Sequence, residues 1–310
     1  MGQILPRLAV IRTPKFFFPI PGAIAKSHRY FFYYLFCTVT CKIAAVDNCA
    51  KLVEASFFAL SHSKSAPKGP LFKWFGSKWQ GARYYPAPHS SKIVEPFAGG
   101  AGYSLRHNCS FVKIAELDPH VSELWRWLIN EATQEDVMEI PVDIPVGLDI
   151  RFIPMSKGQQ LLLKNWQRTN NVGDCWTISP WGNMPGQWTE NTRSRVSEDV
   201  QCVKGWEGSQ DGFALLESPL RDDPEITWFI DPPYLFNYRY RMKQEFDYDR
   251  LASAVKQLRG QVIVCEAICP KTNKVPDYLE FEFFRKSVTS RRAEGNNVYS
   301  KELIYYRRAC

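Results

Sequence analysis

The residues best suited to chemistry in this chain form one short segment, Asp231, Pro232, Pro233 and Tyr234. The preceding run Ile226–Ile230 is apolar and β-branched, a pattern that predicts a buried strand. Because neither proline can donate to a β-ladder and each restricts the residue before it, the strand must end here. A carboxylate, rigid backbone carbonyls and an aromatic ring would then lie at the carboxyl end of a strand, where open α/β sheets bind ligands. A proline-terminated strand with an incidental aspartate is the alternative.

A glycine-rich turn supplies a second candidate site. It spans residues 96–102, between a short predicted strand at Lys92–Glu95 and a predicted helix that begins at Tyr103. Glycines allow close backbone approach, and the N–H groups of such a turn and of a helix N-terminus can bind a ligand. Asp118 closes the next predicted strand, Phe111–Leu117, where an acid can accept hydrogen bonds from ribose hydroxyls. The third glycine of a dinucleotide-binding fingerprint is missing, so a purely structural turn is the alternative.

A third candidate lies upstream, in the segment Phe72–Lys78. It places Trp74 four residues before Lys78, with Gly76 and Ser77 between them. This spacing could bring an aromatic wall and a cation into one small loop. For this segment alone, a surface turn that packs a tryptophan is the alternative.

The elements that must position these segments indicate an α/β fold. Strand, glycine turn, helix, strand, acid and helix is the order that opens a βαβ unit, and it predicts a parallel sheet. Further strands are predicted at Gln261–Cys265 and Leu303–Tyr306, and helices at Val121–Asn130 and Tyr248–Leu258. Residues 131–210 lack this regularity and hold five tryptophans among Gly, Asn, Ser and Pro, so we predict an inserted lobe there.

Charge and cysteine content limit the function classes. Most of the net charge of +7 lies in residues 1–66, so the rest of the chain is close to neutral and its bulk charge does not predict DNA binding. Local basic clusters remain candidates, because phosphate contacts need only a basic face. The 9 cysteines include no CxxC pair, which argues against a zinc site and indicates reduced thiols in a cytoplasmic protein.

Residues 1–66 differ in character from the remainder. Aromatic bursts at Phe16–Pro21 and Tyr30–Phe36 follow neither a helical nor a strand period. The apolar run that contains the second burst is interrupted at Lys42, which leaves it short of the roughly 18 residues of a membrane span. We expect an irregular extension outside the folded domain. A weak membrane anchor and sequence upstream of the true start are the alternatives.

The three candidate segments occur in an order that resembles one protein family. Phe-x-Trp-x-Gly-x-Lys at 72–78 comes first, then Val-Glu-Pro-Phe-Ala-Gly-Gly-Ala-Gly at 94–102, then the strand ending in Asp118, and finally Asp-Pro-Pro-Tyr at 231–234. Over residues 71–310 the chain is similar to the Dam-like, alpha-class adenine-N6-specific DNA methyltransferases of bacteria and phages. The resemblance implies a Rossmann-like, S-adenosylmethionine-dependent methyltransferase fold with a mostly parallel sheet.

The resemblance also implies domains and site residues. The catalytic domain would comprise residues 67–130 and 211–310, with a target-recognition lobe inserted at 131–210. The residues implied to bind S-adenosylmethionine are Trp74, Lys78, Glu95, Pro96, Phe97, Gly99, Gly100, Asp118 and Asp231. Those implied to be catalytic are Asp231, Pro232, Pro233 and Tyr234. The departures from the family pattern are Ser77 in place of a glycine, His120 where asparagine is common, and Asp211 as a loose match to an expected acid.

The reaction of this family suits the Asp-Pro-Pro-Tyr segment. Adenine N6 is a weak nucleophile because its lone pair is delocalised into the ring. Asp231 and the carbonyl of Pro232 could accept both N6 hydrogens, which favours the pyramidal amine that attacks the sulfonium methyl group. Tyr234 offers a face on which a base flipped out of the duplex can stack. The reaction needs neither a metal nor a covalent enzyme intermediate.

Double-stranded DNA is the partner that the resemblance implies. Arg239, Arg241 and Lys243 follow the catalytic segment and are candidates for phosphate contacts, and Arg193 and Arg195 are candidates within the lobe. A solvated surface is the alternative for these basic residues. The implied setting is the cytoplasm of a bacterium or a phage-infected cell, and a restriction-modification role with a cognate restriction endonuclease stays open.

Other functions stay open beside adenine methylation. The Asp-Pro-Pro-Tyr segment alone also suits methylation of cytosine N4 or of a protein glutamine amide. A DNA-binding relative without catalytic activity would belong to a different class.

Overall fold

A computed structural model describes residues 66–167, 175–235, 246–269, 284–292 and 299–309, together with positions 272, 274, 276, 278 and 279. Residues 64–310 form one compact unit. The predicted extension of residues 1–66 lies almost entirely outside the described residues. So do three of the predicted DNA contacts, Arg239, Arg241 and Lys243.

A seven-stranded, mostly parallel sheet forms the centre of this unit. Its strands are β1 (Lys92–Glu95), β2 (Phe111–Ala115), β3 (Glu207–Ser209), β4 (Ile226–Ile230), β5 (Gln261–Ala267), β6 (Phe284–Arg292) and β7 (Tyr299–Arg307). Their order across the sheet is β3-β2-β1-β4-β5-β7-β6. Strands β1 to β5 are parallel, whereas β7 runs antiparallel to both β5 and β6. The prediction of an α/β fold with a mostly parallel sheet is therefore confirmed.

The order of the parallel strands fixes where a ligand can bind. From β1 the chain builds outward through β2 to β3, and it then returns to the other side of β1 with β4 and β5. Residue Val94 of β1 consequently faces Lys113 of β2 on one side and Trp228 of β4 on the other. Such a reversal opens a crevice at the carboxyl ends of the two central strands, β1 and β4.

Helices cover the sheet and connect its strands. They are α1 (Gly102–His107), α2 (Pro119–Asn130), α3 (Gln134–Met138), α4 (Lys157–Trp166), α5 (Glu190–Asp199), α6 (Gly212–Leu216) and α7 (Tyr248–Gln257). Short 3-10 turns lie at Ala82–Tyr84, Ile150–Phe152, Val200–Val203 and Pro219–Asp222. Helix α2 follows the capping residue Asp118 and has Pro119 at its first position, a favourable start for a helix. Within the described part of the chain, no helix is both long enough and apolar enough to cross a bilayer.

The segment 131–210, predicted to be an inserted lobe, shares a core with one face of the sheet. Leu162 of α4 and Trp188 are fully buried in the same apolar cluster as Ile93 of β1 and Leu124 of α2. A second cluster joins the other face of β4 to α7 through such residues as Trp228 and Leu251. The sheet edge also extends into this segment, because β3 pairs with β2. The Glu-Gly-Ser sequence of β3 has no apolar alternation that would have predicted a strand.

Candidate functional site

A cavity of about 770 Å³ lies among the loops that follow β1, β2 and β4. It is lined by all nine residues that the family resemblance assigns to the cofactor: Trp74, Lys78, Glu95, Pro96, Phe97, Gly99, Gly100, Asp118 and Asp231. Pro232 and Pro233 also line it. Tyr234 follows them and packs, partly buried, against the neighbouring apolar cluster. The fold thus brings together three segments that are far apart in the chain.

The glycine turn allows the backbone and side chains of residues 74–79 to approach it very closely. A Cβ atom added to Gly99, which has a φ of +50°, would lie 2.5 Å from Cδ1 of Trp74. A Cβ atom on Gly102 would lie 2.2 Å from the backbone nitrogen of Trp79. The indole nitrogen of Trp125 donates a hydrogen bond to the carbonyl of Gly99 and holds the turn from the side of α2. In this structure the glycines are required by packing against residues 74–79.

Lys78 and Asp231 meet in the lining of the cavity. The ammonium nitrogen of Lys78 lies 2.5 Å from Oδ2 of Asp231 and donates a second hydrogen bond of 3.0 Å to the carbonyl of Gly76. It also lies 5.1 Å from the centre of the Tyr234 ring, within the range of a cation–π interaction. The side chain of Lys78 is 6% exposed and that of Asp231 is 20% exposed. The cation therefore orients the carboxylate and compensates its charge where little water can do so.

Carboxyl groups with raised pKa values lie at or near the ends of several central strands. Glu95, at the end of β1, accepts a hydrogen bond of 2.6 Å from the backbone nitrogen of Ser104, and burial raises its pKa to about 8. Glu116, directly after β2, accepts from the backbone nitrogens of Gly99 and Asp118, and burial raises its pKa to about 7. Glu266, near the end of β5, is likewise buried, which raises its pKa to about 7. These groups change protonation state near neutral pH, and two of them line the cavity.

Glu95→Gln is expected to weaken the pH dependence of stability. Because the pKa of folded Glu95 lies above its ordinary value of 4.5, the folded protein binds this proton more tightly than the unfolded chain does. Raising the pH from about 5 to about 8 therefore lowers the free energy of unfolding. The amide keeps the hydrogen bond from Ser104 and removes the titration. Thermal unfolding across this range should show that roughly two fifths of the decline is lost, since Glu116 and Glu266, whose pKa values are raised less, contribute the rest.

The exposed residue Glu139 provides the matched control for this measurement. Glu139→Gln should keep the wild-type slope. A wild-type slope in Glu95→Gln as well would mean that Glu95 has the same protonation in the folded and unfolded states.

The acid selected from the sequence, Asp118, is engaged mainly with helix α2. Its Oδ1 atom accepts hydrogen bonds from the backbone nitrogens of His120 and Val121 at 2.9 and 3.1 Å. Glu116 is the acid at this point of the cavity that accepts a hydrogen bond from the glycine turn, and sequence reasoning missed it. β2 ends at Ala115, two residues before the predicted end of the strand, so Glu116 lies in the loop and not in the strand. Both carboxyl groups line the cavity, so the assignment of Asp118 to a cofactor stays a prediction.

Aromatic rings form another wall of the cavity, in which the predicted residue Phe97 is joined by Phe213 and Phe246, two rings that sequence reasoning missed. Phe97, Phe213 and Phe246 pack edge-on or tilted, with ring centres 5.4 to 5.8 Å apart. Asp211, the loosely matched acid, lies beside them in the lining and accepts a hydrogen bond from the backbone nitrogen of Ala214 at the start of α6. This wall can receive a flat, apolar face of a ligand, with acceptors at its rim.

Two basic side chains of α4 contact the ring of Trp176, and one of them, Lys164, lines the cavity. The Lys164 nitrogen lies 3.0 Å from Nδ1 of His120 and 4.1 Å from the centre of the Trp176 ring. Lys157 contacts the same ring at 4.3 Å. Lys164 and His120 both line the cavity. His120, which departs from the family pattern, is thus part of a cluster of basic and aromatic groups.

Arg193 and Arg195, which were predicted to contact DNA from the lobe, make hydrogen bonds within the protein in this structure. Arg193 donates hydrogen bonds to the carbonyl of Ile140 and to Glu190 at 3.0 and 2.6 Å. Arg195 donates to Asp199 and to the carbonyl of Pro70, both at 2.9 Å. Any role of Arg193 and Arg195 in DNA binding stays a prediction.

Comparison of the sequence with known protein families and with curated proteins gave no match. In the described ranges, no group of three or more His, Cys, Asp and Glu side chains is placed to hold a metal ion.

Proposed function

We propose that this protein is a DNA methyltransferase that transfers a methyl group from S-adenosylmethionine to N6 of adenine. The observation that carries the proposal is that Asp231, at the end of β4, lines the same cavity as the glycine turn after β1. This cavity opens at the switch point of a parallel sheet, where nucleotide-like ligands bind in folds of this kind. A methyltransferase form of the α/β fold is part of the same proposal.

The lining fits the proposed cofactor in size and in chemistry. A volume of about 770 Å³ lies within the ordinary range of small-molecule sites. Trp74 and the ring wall of Phe97, Phe213 and Phe246 suit a purine, and Glu116 suits ribose hydroxyls. When bound, S-adenosylmethionine would supply an electrophilic methyl group. The protein would bind it through the glycine turn and these side chains, and would exclude water from the reacting atoms.

Asp231 and the carbonyl of Pro232 would hold the amino group of the substrate. Both are acceptors on a rigid segment, so they can direct the two N6 hydrogens and leave the lone pair free to attack. Lys78 already contacts Oδ2 of Asp231, so the substrate amine would share this carboxylate with the ammonium group or displace it. Tyr234 would stack on the flipped base, as an enzyme that acts on a base outside the duplex requires.

The experiment that tests the proposal identifies the modified base directly. DNA from cells that lack their own methyltransferases and express this protein is digested to nucleosides and analysed by mass spectrometry. We expect N6-methyladenine, which should be absent with the Asp231→Asn variant. If N4-methylcytosine is found without N6-methyladenine, then the substrate base is cytosine and not adenine. If no DNA acquires a methylated base, the result favours a DNA-binding protein without catalytic activity.

A further inference from the structure

Glu266 contacts the backbone that leaves the Asp-Pro-Pro-Tyr segment. It lies near the end of β5, next to β4 in the sheet, and is 0% exposed. Its carboxylate accepts hydrogen bonds from the backbone nitrogen of Leu235 at 3.0 and 3.3 Å. It also accepts from the hydroxyl of Tyr278 at 2.7 Å and from the backbone nitrogen of Ala267 at 2.9 Å. Three donors on different parts of the chain thus converge on one buried side chain.

A second contact holds the same backbone from the other side. The hydroxyl of Tyr248, the first residue of α7, donates a hydrogen bond of 2.7 Å to the carbonyl of Pro233. The rings of Tyr248 and Tyr278 pack against each other with their centres 5.1 Å apart. The carbonyl of Pro233 and the N–H of Leu235 are therefore both held by side chains that lie outside the segment.

These contacts compensate for backbone hydrogen bonds that the Asp231–Tyr234 segment cannot make. Pro232 and Pro233 have no N–H groups, so β-ladder bonds cannot hold the chain where it leaves β4. The geometry of Asp231 and of the Pro232 carbonyl then depends on what fixes the residues that follow. Buried, multiply hydrogen-bonded carboxylates are strong anchors, since each of their contacts is charge-assisted when the group is ionised.

We propose that Glu266 is a positioning residue that, with Tyr278 and Tyr248, fixes the exit of the Asp231–Tyr234 segment in the geometry required for methyl transfer. This inference rests on the proposed function. Glu266 acts through the backbone of Leu235 and does not touch the substrate. A displacement of about 1 Å in a catalytic group can lower a rate by roughly 100-fold, so such an anchor has a measurable effect on turnover.

Glu266→Ala, Glu266→Gln and Tyr278→Phe test the proposal in the full-length protein. Two quantities are measured: amide hydrogen exchange of a peptide that covers residues 231–235, and steady-state kinetics with DNA. In Glu266→Ala we expect exchange at Leu235 to accelerate by about tenfold or more and kcat to fall by roughly 10- to 100-fold. KM for DNA and Kd for S-adenosylmethionine should change by less than about threefold. Glu266→Gln should retain part of kcat, because its carbonyl still accepts from Leu235.

Tyr103→Phe is the matched control. It removes a buried tyrosine hydroxyl that donates a bond of the same 2.7 Å length to a backbone carbonyl, that of Pro86. Exchange at Leu235 and kcat should both stay at wild-type values. If Glu266→Ala fails to fold, Tyr278→Phe is the test variant in its place. Its kcat is expected to fall by roughly tenfold.

Two outcomes overturn the inference, and neither depends on a variant that fails to fold. One is wild-type exchange at Leu235 in folded Glu266→Ala or Tyr278→Phe. The other is accelerated exchange with an unchanged kcat, which would make the anchor structural only. A wild-type protein without methyl transfer would instead overturn the proposed function, while the exchange data would still decide whether Glu266 holds this turn.

Discussion

Asp231→Asn is expected to lower kcat for methyl transfer by about 1,000-fold. The amide keeps the size of the side chain and one oxygen acceptor. It also turns an N–H donor toward groups that are donors themselves, namely the substrate amine and the Lys78 ammonium group, which lies 2.5 Å from Oδ2. Two donors that face each other cannot hydrogen-bond, and the negative charge that directs the amine is gone. Kd for S-adenosylmethionine should change by less than about tenfold, so the loss lies in the chemical step.

The matched control for this variant lies beyond the opposite end of the same strand. Asp223 precedes β4 and pairs with Lys92 at 3.0 Å, so Asp223→Asn also breaks a contact between aspartate and lysine. It should leave kcat within about twofold of the wild type, because it changes no group of the cavity. The rate of DNA methylation in a single turnover is measured for both variants. Activity of Asp231→Asn close to that of the wild type would remove Asp231 from the mechanism and with it the main support for the proposed function.

The ends of the central strands could be predicted from the sequence because their chemistry is local. Pro232 and Pro233 stop β4 through their own covalent structure, and the structure ends that strand at Ile230. The glycine turn and Asp118 each follow a segment that the sequence predicts to be a strand. Parallel strands present their carboxyl ends at one edge of a sheet, which is why the segments that follow β1, β2 and β4 line one cavity. The cavity therefore follows from patterns that each occupy fewer than about ten residues.

What could not be predicted depends on packing between distant parts of the chain. Glu116 and Asp118 are two acids in one short loop, and only the fold shows that Asp118 caps α2 while Glu116 accepts a hydrogen bond from the glycine turn. Glu266 stands in the otherwise apolar run of β5, where a charged residue is unusual enough to be a signal. Its partners Leu235 and Tyr278 are distant in sequence, however, and no local pattern connects them. The same applies to the role of Gly102, which depends on the approach of a segment more than twenty residues earlier.

Gly102→Ala is expected to destabilise the protein by about 3 kcal/mol and to lower kcat by roughly 100-fold. Residue propensity alone predicts the opposite, since Gly102 is the first residue of helix α1 and alanine favours a helix by about 1 kcal/mol over glycine. The added Cβ would however lie 2.2 Å from the backbone nitrogen of Trp79 and 2.8 Å from the backbone of Lys78. Backbone atoms cannot move aside as a flexible side chain can, so the whole segment must shift.

That shift would move Lys78 away from Asp231, which is why stability and activity should fall together. Chemical denaturation and single-turnover methylation measure the two effects. Gly208→Ala is the control, because a Cβ on Gly208 meets only the side chain of Ile129 at 3.4 Å, an ordinary contact distance. It should change stability by less than about 1 kcal/mol. If Gly102→Ala is instead as stable and active as the wild type, then residues 74–79 do not need this close contact. Lys78 would then be held at Asp231 by the ion pair and not by the glycine turn.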